Sequence, residues 1–268
     1  MSRALVQLAL LGLAMLFLSP LLWLLLAALE SPAERATANW LPSDPRWANF
    51  LDALTHIDFS GYFLNSVIVA GIYAVLTTAS SACAGYGFAR LTARGEKPLF
   101  ALLVMTMMTP GIVTLVPTYL LFARLGLVGT YWPWVLWGLG GSAYIVFLFR
   151  QFFSSIPKEL EDAALIDGCG HVRMFLRIVL PQSGPALAAS AVLTFSWAWG
   201  DWTGPRLLLD EDTTTLAVAV PSGYGDPSGH GVDNLLAAGS LLYLLPLLLL
   251  FLFAQRYFTA GAYASWMR

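Results

Sequence analysis

Three histidines, His56, His171 and His230, and two cysteines, Cys83 and Cys169, are the side chains of this chain best suited to bind a metal or to serve as base and nucleophile near neutral pH. Their spacing does not support either use. No H-E-x-x-H places two imidazoles on one helix face, and all three histidines fall between the apolar stretches, so a protease working at membrane depth has no base there. The apolar stretches also contain no aspartate, which removes an aspartyl dyad, and no other ionisable relay of the kind that drives proton-coupled transport. Cys83 lies inside an apolar run and Cys169 in a polar connection, so the two are not expected to pair, and Cys83 reads as a small buried apolar residue. A nucleotide site is missing as well: Gly95-Glu96-Lys97 is followed by Pro98 and lacks the rest of the G-x-x-x-x-G-K-[ST] frame. What remains is the long connection from Gln151 to Pro181, which carries the acids Glu159, Glu161, Asp162 and Asp167.

The elements that carry that connection follow from composition. The chain has 268 residues, 58% hydrophobic and 11% charged, whereas about 25% charged residues is usual for a soluble domain. The formal net charge of -2 offers no basic field for nucleic acid. Six runs free of Asp, Glu, Lys and Arg are long enough to cross a bilayer as helices. Backbone groups in lipid must be satisfied within the segment, and the alternation of a barrel strand is absent, so the expected fold class is all-α. Spans are expected at 4–29, 61–89, 98–123, 131–149, 183–202 and 234–256. The first is too long for the apolar core of a signal peptide and no clean cleavage site follows it. With the amino terminus inside, ten of the 14 basic residues fall on the inner side, among them Arg90, Arg94, Lys97, Arg150, Lys158, Arg173, Arg177 and Arg268. The outer side keeps Arg35, Arg46, Arg124 and Arg206, so the positive-inside bias puts both termini in the cytoplasm. Trp40, Trp47, Trp132, Trp134 and Trp202 are expected at the outer interface, where amphipathic rings prefer to sit.

Within 157–181 the pattern is two short helices around a glycine pair. Pro157 suits the first position of a helix, and Glu159, Glu161 and Asp162 occupy opening turns where the macrodipole favours anions. Leu160, Ala163, Ala164 and Asp167 share one face of the first helix. Gly168 and Gly170 are expected to supply the positive φ of a sharp reversal. The second helix is expected to carry Val172, Phe175, Leu176 and Val179 on one face and to close at Pro181.

This segment resembles the EAA loop of the membrane subunits of ATP-binding-cassette importers. The match runs through Asp162-Ala163-Ala164, Asp167-Gly168 and Ile178-Val179-Leu180-Pro181. The rest of the chain is similar to the maltose-type sugar permeases, through Met108-Thr109-Pro110-Gly111, Val116-Pro117-Thr118-Tyr119, Phe149-Arg150-Gln151-Phe152-Phe153, Trp199-Gly200-Asp201 and Gln255-Arg256-Tyr257-Phe258. Asp162 stands where the family has Glu, Cys169 where it usually has Ala, and Thr259 to Arg268 departs from the usual ending. The resemblance implies a single transmembrane domain of the type I importer permease fold in a bacterial plasma membrane. It implies a second permease subunit, two ATPase subunits holding ATP and Mg, and an external solute-binding protein; no cofactor is expected in this chain itself. The implied coupling residues are Glu161, Asp162, Ala163, Ala164, Asp167, Gly168, Phe175 and Pro181. Asn65, Ser66, Thr109, Thr114, Trp197 and Trp199 are candidates for a path that suits a sugar or another polyhydroxylated solute, and Pro110, Gly111 and Pro117 are expected bends in its lining. Three alternatives stay open: a non-sugar solute such as a polyol or glycerophosphodiester; a facilitator without partners, which would not need this loop; and an assembly or insertion factor, which should bind nascent chains and show no linkage to ATPase activity.

Overall fold

A computed structural model describes residues 3–31, 41–166, 168–225 and 232–266. Asp167, Arg35, Trp40, His230 and Arg268 lie outside the described residues, as do the side chains of Ala163 and of 256–266. The described elements are helical: α1 (Arg3–Leu29), α2 (Ala48–His56), α3 (Phe59–Arg90), α4 (Glu96–Thr106), α5 (Gly111–Arg124), α6 (Trp132–Gly140), α7 (Ala143–Ser154), α8 (Glu159–Ile166), α9 (His171–Met174), a π-helical turn (Phe175–Val179), α10 (Leu180–Gln182), α11 (Gly184–Trp199), α12 (Thr203–Leu208), α13 (Leu216–Gly223) and α14 (Asp233–Trp266). Among the described residues, four stretches are long and apolar enough to cross a membrane, Arg3–Leu29, Phe59–Arg90, Trp132–Ser154 and Asp233–Gln255. Two bent pairs bring the number to six where each pair counts as one span.

One of those bends falls within an expected span. The run 98–123 is not one helix: α4 and α5 meet at 95°. Pro110 sits in extended backbone ahead of α5 and has no N–H to continue the helical ladder, so the turn falls at the proline. Pro117, by contrast, is carried inside α5. The run 183–202 ends at Trp199, and Asp201 starts a new helix by accepting hydrogen bonds from the backbone N–H groups of Thr203 and Gly204 at 3.0 and 3.1 Å. At the other end of the chain α14 runs on to Trp266, beyond the expected limit of 256.

The chain divides into two compact units, Met1–Leu64 with Thr215–Pro246, and Asn65–Thr214 with Leu247–Arg268. In the first unit, the buried Asn49 of α2 donates to the carbonyls of Ala28 and Glu30, both at 2.9 Å, and so satisfies the end of α1. Tyr224 donates its hydroxyl to the Ala53 carbonyl at 2.9 Å; burial pushes its phenol up to about 12, so it keeps the proton at physiological pH. The outward side chains of α1, such as Leu8, Phe17 and Trp23, are exposed along its length, as lipid-facing residues can be.

The second unit packs the inner part of α3 against α6, α7 and α11. Small residues allow the close approach: a Cβ at Gly85 would meet the Phe149 Cβ at 2.6 Å. Hydroxyls satisfy what the approach brings together, with Thr78 and Ser190 at 2.9 Å and Ser80 donating to the Gly138 carbonyl at 2.8 Å. One aromatic core gathers Tyr86, Phe149, Phe153 and Phe175, with Tyr86 and Phe175 ring centroids 4.9 Å apart. A second holds Val69, Phe122, Trp134 and Leu208. Trp134 is therefore a core residue and not an interfacial anchor, whereas Trp47, Trp132 and Trp202 are exposed. Cys83, expected to be buried, is exposed on the surface of α3.

Candidate functional site

The acid-bearing connection forms an elbow whose local geometry follows from its residues. Glu161 and Asp162 donate their backbone N–H groups to the Lys158 carbonyl at 2.9 Å each, which opens α8. At its far end Gly168 has φ +77, its N–H bonds the Leu165 carbonyl at 3.0 Å, and the Cys169 N–H reaches back to the Ala164 carbonyl at 2.9 Å. That pair of bonds around a left-handed residue is a Schellman stop. A Cβ at position 168 would meet nothing within 4 Å, so glycine is needed there for its backbone and not for space. Gly170 corrects the expectation of a second positive φ: at φ -74 and ψ 160 it is extended and serves as the N-cap of α9.

The second arm also departs from expectation. It does not close at Pro181 but runs to Gln182, then bends by 81° into α11. Ahead of the proline the helix widens into the π turn Phe175–Val179, which accommodates a residue without an N–H. Widening shifts the register of faces. Met174, Phe175 and Val179 are buried, whereas Leu176 and Val172 point outward, so the expected single stripe is split.

One residue that carries this site was read from sequence only as a topology determinant. Arg90, the last residue of α3, donates Nη2 to the carbonyls of Phe153 and Ile156, each at 2.5 Å, at the end of α7. Its Nε lies 2.9 Å from Glu161 Oε1, and the two side chains are 3% and 13% exposed. The contact lacks the alignment of a hydrogen bond, which makes the attraction chiefly Coulombic. Arg90 thus joins a membrane-spanning helix, the end of α7 and the first turn of the elbow in one contact. Its signal in sequence was one of a group of basic residues, with Arg94 and Lys97, after an apolar run, indistinguishable from a topology determinant.

The remaining coupling candidates divide by burial. Ala164 and Phe175 face the core, and Tyr86 donates its hydroxyl to the Met174 sulfur at 3.6 Å beside them. Asp162 and Glu159 are exposed. The tip presents bare apolar side chains on either side of Gly168, with Ile166 87% and Val172 75% exposed.

The candidate path residues are not brought together. Asn65 donates to the Asp212 and Thr214 carbonyls at 3.0 Å each and accepts from the Tyr131 hydroxyl at 2.7 Å, which makes it a clamp on the segment ahead of α13. Ser66 is buried. Thr109 stands exposed at the α4–α5 bend, and Thr114 is exposed with its hydroxyl donating to the Gly111 carbonyl at 2.9 Å. Trp199 is 1% exposed and stacks on Phe195, so of the two tryptophans only Trp197, 42% exposed, presents its ring.

The family of binding-protein-dependent transport system inner membrane components matches residues 81–262, a range that holds both Arg90 and the whole elbow. This chain belongs to that family. Among its relatives, the probable ABC transporter permease protein YurM of Bacillus subtilis is 35% identical over 90% of this chain and 81% of its own length. The arabinooligosaccharides transport system permease protein AraQ of Halalkalibacterium halodurans is 35% identical over 90% of this chain and 88% of its own. The melibiose/raffinose/stachyose import permease protein MelC of Bacillus subtilis is 32% identical over the same shares. The permease fold is matched by a chain in the crystal structure of a bacterial ABC transporter that imports the acidic polysaccharide alginate, with a TM-score of 0.82, 20% identity and coverage of 96% of this chain and 99% of that one. As a permease of this family the chain is a multi-pass membrane protein.

Proposed function

We propose that this chain is one permease subunit of an ATP-driven sugar importer, that it forms half of the translocation path, and that its elbow transmits closure of partner ATPase subunits to the helices of the membrane. The observation that carries the reading is the elbow. It is held in one shape by the Gly168 stop, fixed to the end of α3 by Arg90, and bare at its tip. Exposed Ile166 lies outside the candidate spans, so it gains from being covered by a partner, at roughly 25 cal/mol per Å² of apolar surface removed from water, and Val172 is exposed with it. Asp162 beside them offers a charge to a basic group in the same cleft. The sugar follows from AraQ and MelC, whose names specify oligosaccharides.

In this reading a second permease completes the path, an external solute-binding protein delivers the sugar, and two ATPase subunits hold ATP and Mg. The elbow and both termini face the cytoplasm, in keeping with the basic residues. ATP drives the change because it binds the closed ATPase pair better than the open one, and a stiff elbow is required for the membrane helices to follow. Replacing Gly168 by Val puts a β-branched residue in left-handed backbone, a cost of roughly 1–2 kcal/mol, and misplaces the tip. Uptake of labelled raffinose or maltotriose should then cease at normal membrane abundance; normal uptake by Gly168→Val would defeat the coupling reading.

A further inference from the structure

Arg150 lies about one turn before the end of α7, within the apolar span Trp132–Ser154. An ionisable side chain in such a span is costly and by default marks a site. Two contacts fix its position. Nε donates to the Phe88 carbonyl at 3.2 Å, and the guanidinium carbon lies 3.9 Å from the centroid of the Phe100 ring. Phe100 is itself braced, edge to face with Phe88 at 5.3 Å and stacked on Phe147 at 6.3 Å. One N–H and one face of the guanidinium are used in this way. A guanidinium has five N–H donors, and the ion pairs among the described residues, Arg46–Asp52 and Arg90–Glu161, do not include Arg150. Its fork is therefore left for another acceptor.

Two further cations stand at this end of the α4–α7 pair. Phe100 follows Lys97 by three residues in α4, so the two share a helix face. Arg94 precedes Gly95, whose φ of +88 turns the chain into α4. Both cations are exposed and unpaired with any acid among the described residues, and Glu96 in the same first turn forms no ion pair either. Toward the middle of the span the Arg150 face becomes aromatic. Phe147, one turn before Arg150, and Tyr144, one turn further, are both exposed.

We infer that Arg150, Lys97 and Arg94 form a binding site for the headgroup of an anionic phospholipid, with an acyl chain lying against Phe147. Basic pockets between helices at the membrane boundary suit acidic headgroups. The planar fork of Arg150 matches the two non-bridging oxygens of a phosphate diester, which the point charge of a lysine does not. Every phospholipid carries that diester, so Arg150 supplies grip and not choice. Choice comes from Lys97 and Arg94, which favour a headgroup whose only charge is the phosphate and repel a choline. A soluble phosphate meets the same fork but leaves Phe147 bare, so the aromatic face beside the charges selects a ligand with a chain. The site lies apart from the elbow tip and holds whatever solute the chain carries.

The test is native mass spectrometry of the chain, with the subunits that co-purify with it, titrated in detergent with dioleoyl phosphatidylglycerol or dioleoyl phosphatidylcholine. The wild type should prefer phosphatidylglycerol by about tenfold, since each basic residue near the headgroup adds about fivefold. Arg150→Lys should weaken both lipids by about tenfold and keep the preference. Lys97→Gln combined with Arg94→Gln should leave phosphatidylcholine binding unchanged and bring phosphatidylglycerol down to it. Both of those residues are exposed, so the double variant decides the matter even where a substitution at Arg150 prevents folding. Bound phosphatidylglycerol should also survive millimolar inorganic phosphate. Equal binding of the two lipids by the wild type, a preference that persists in the double variant, or wild-type affinity in Arg150→Lys each overturns the site. Displacement of the lipid by inorganic phosphate overturns it as well, because the fork is then a site for soluble anions.

Discussion

Removing Arg90 should release the elbow from the bundle while leaving the bundle folded. At 2.9 Å and an effective dielectric near 20, unit charges on Arg90 and Glu161 attract by about 6 kcal/mol before desolvation is subtracted. Truncating one partner of a buried pair costs about 3–5 kcal/mol, because the other charge stays buried and uncompensated. The contact is off the hydrogen-bonding line, which argues for the lower end. Arg90→Ala also strands the carbonyls of Phe153 and Ile156, so the total for docking α8 is about 3 kcal/mol at least. Glu161→Gln should cost less, because Arg90 keeps those two carbonyls as acceptors. Hydrogen exchange of the peptide covering 159–166, measured by mass spectrometry on the importer in nanodiscs, reads the local opening directly. A loss of about 3 kcal/mol corresponds to a loss of protection of about a hundredfold in Arg90→Ala. Glu161→Gln should lose roughly tenfold. The double replacement Arg90→Met with Glu161→Leu should recover most of the protection, since a buried pair exchanged for apolar side chains is often neutral. Protection within threefold of wild type in Arg90→Ala would refute the reasoning, as would equal losses in the single and double variants.

Two further predictions follow from the exposure of the elbow. Asp162→Lys should lower co-purification of the ATPase subunits about tenfold without changing exchange in 159–166, because Asp162 faces outward while Glu161 does not; undiminished recovery would place the acid away from the contact. In a Cys83→Ala background with Cys169→Ala, a cysteine introduced for the exposed Leu51 should react with an impermeant maleimide on intact cells. With Cys169 retained as the only thiol, labelling should require opened cells and should fall when the ATPase is bound. Labelling of Cys169 in intact cells would invert the orientation.

The parts of the fold legible in the sequence were those fixed by local chemistry. An aspartate and glycine after an acid-rich opening turn specify a helix stop, and Gly168 takes the left-handed backbone that the pattern demands. Pro110 was readable as a bend because the proline removes a donor, although its angle of 95° depends on what α4 and α5 pack against. What failed were inferences that assumed an unbroken α-helical period. Val172 and Leu176 were grouped with Phe175 and Val179, but the buried side runs through Met174, Phe175 and Val179, with a π turn between the last two, and leaves Val172 and Leu176 outward. Polar residues in the apolar runs were read as path-facing, yet Asn65 serves the backbone carbonyls of Asp212 and Thr214.

Arg90 and Asp201 show the same limit from the side of function. Each stands next to an apolar run, and counted as a charge each reads as topology or as an interfacial residue. Distance along the chain hides that Arg90 meets Glu161 and that Asp201 shares a cavity with Tyr73, Trp134 and Trp197. Elbow and cavity are joined by the helices that carry them. α3 bears Tyr73 in the cavity wall and Arg90 at its end, and α11, which brings Trp197 to the cavity, begins at the bend where the second arm of the elbow ends. A displacement of the elbow therefore acts on both helices at once, through the Arg90 clamp on α3 and through the α10–α11 bend.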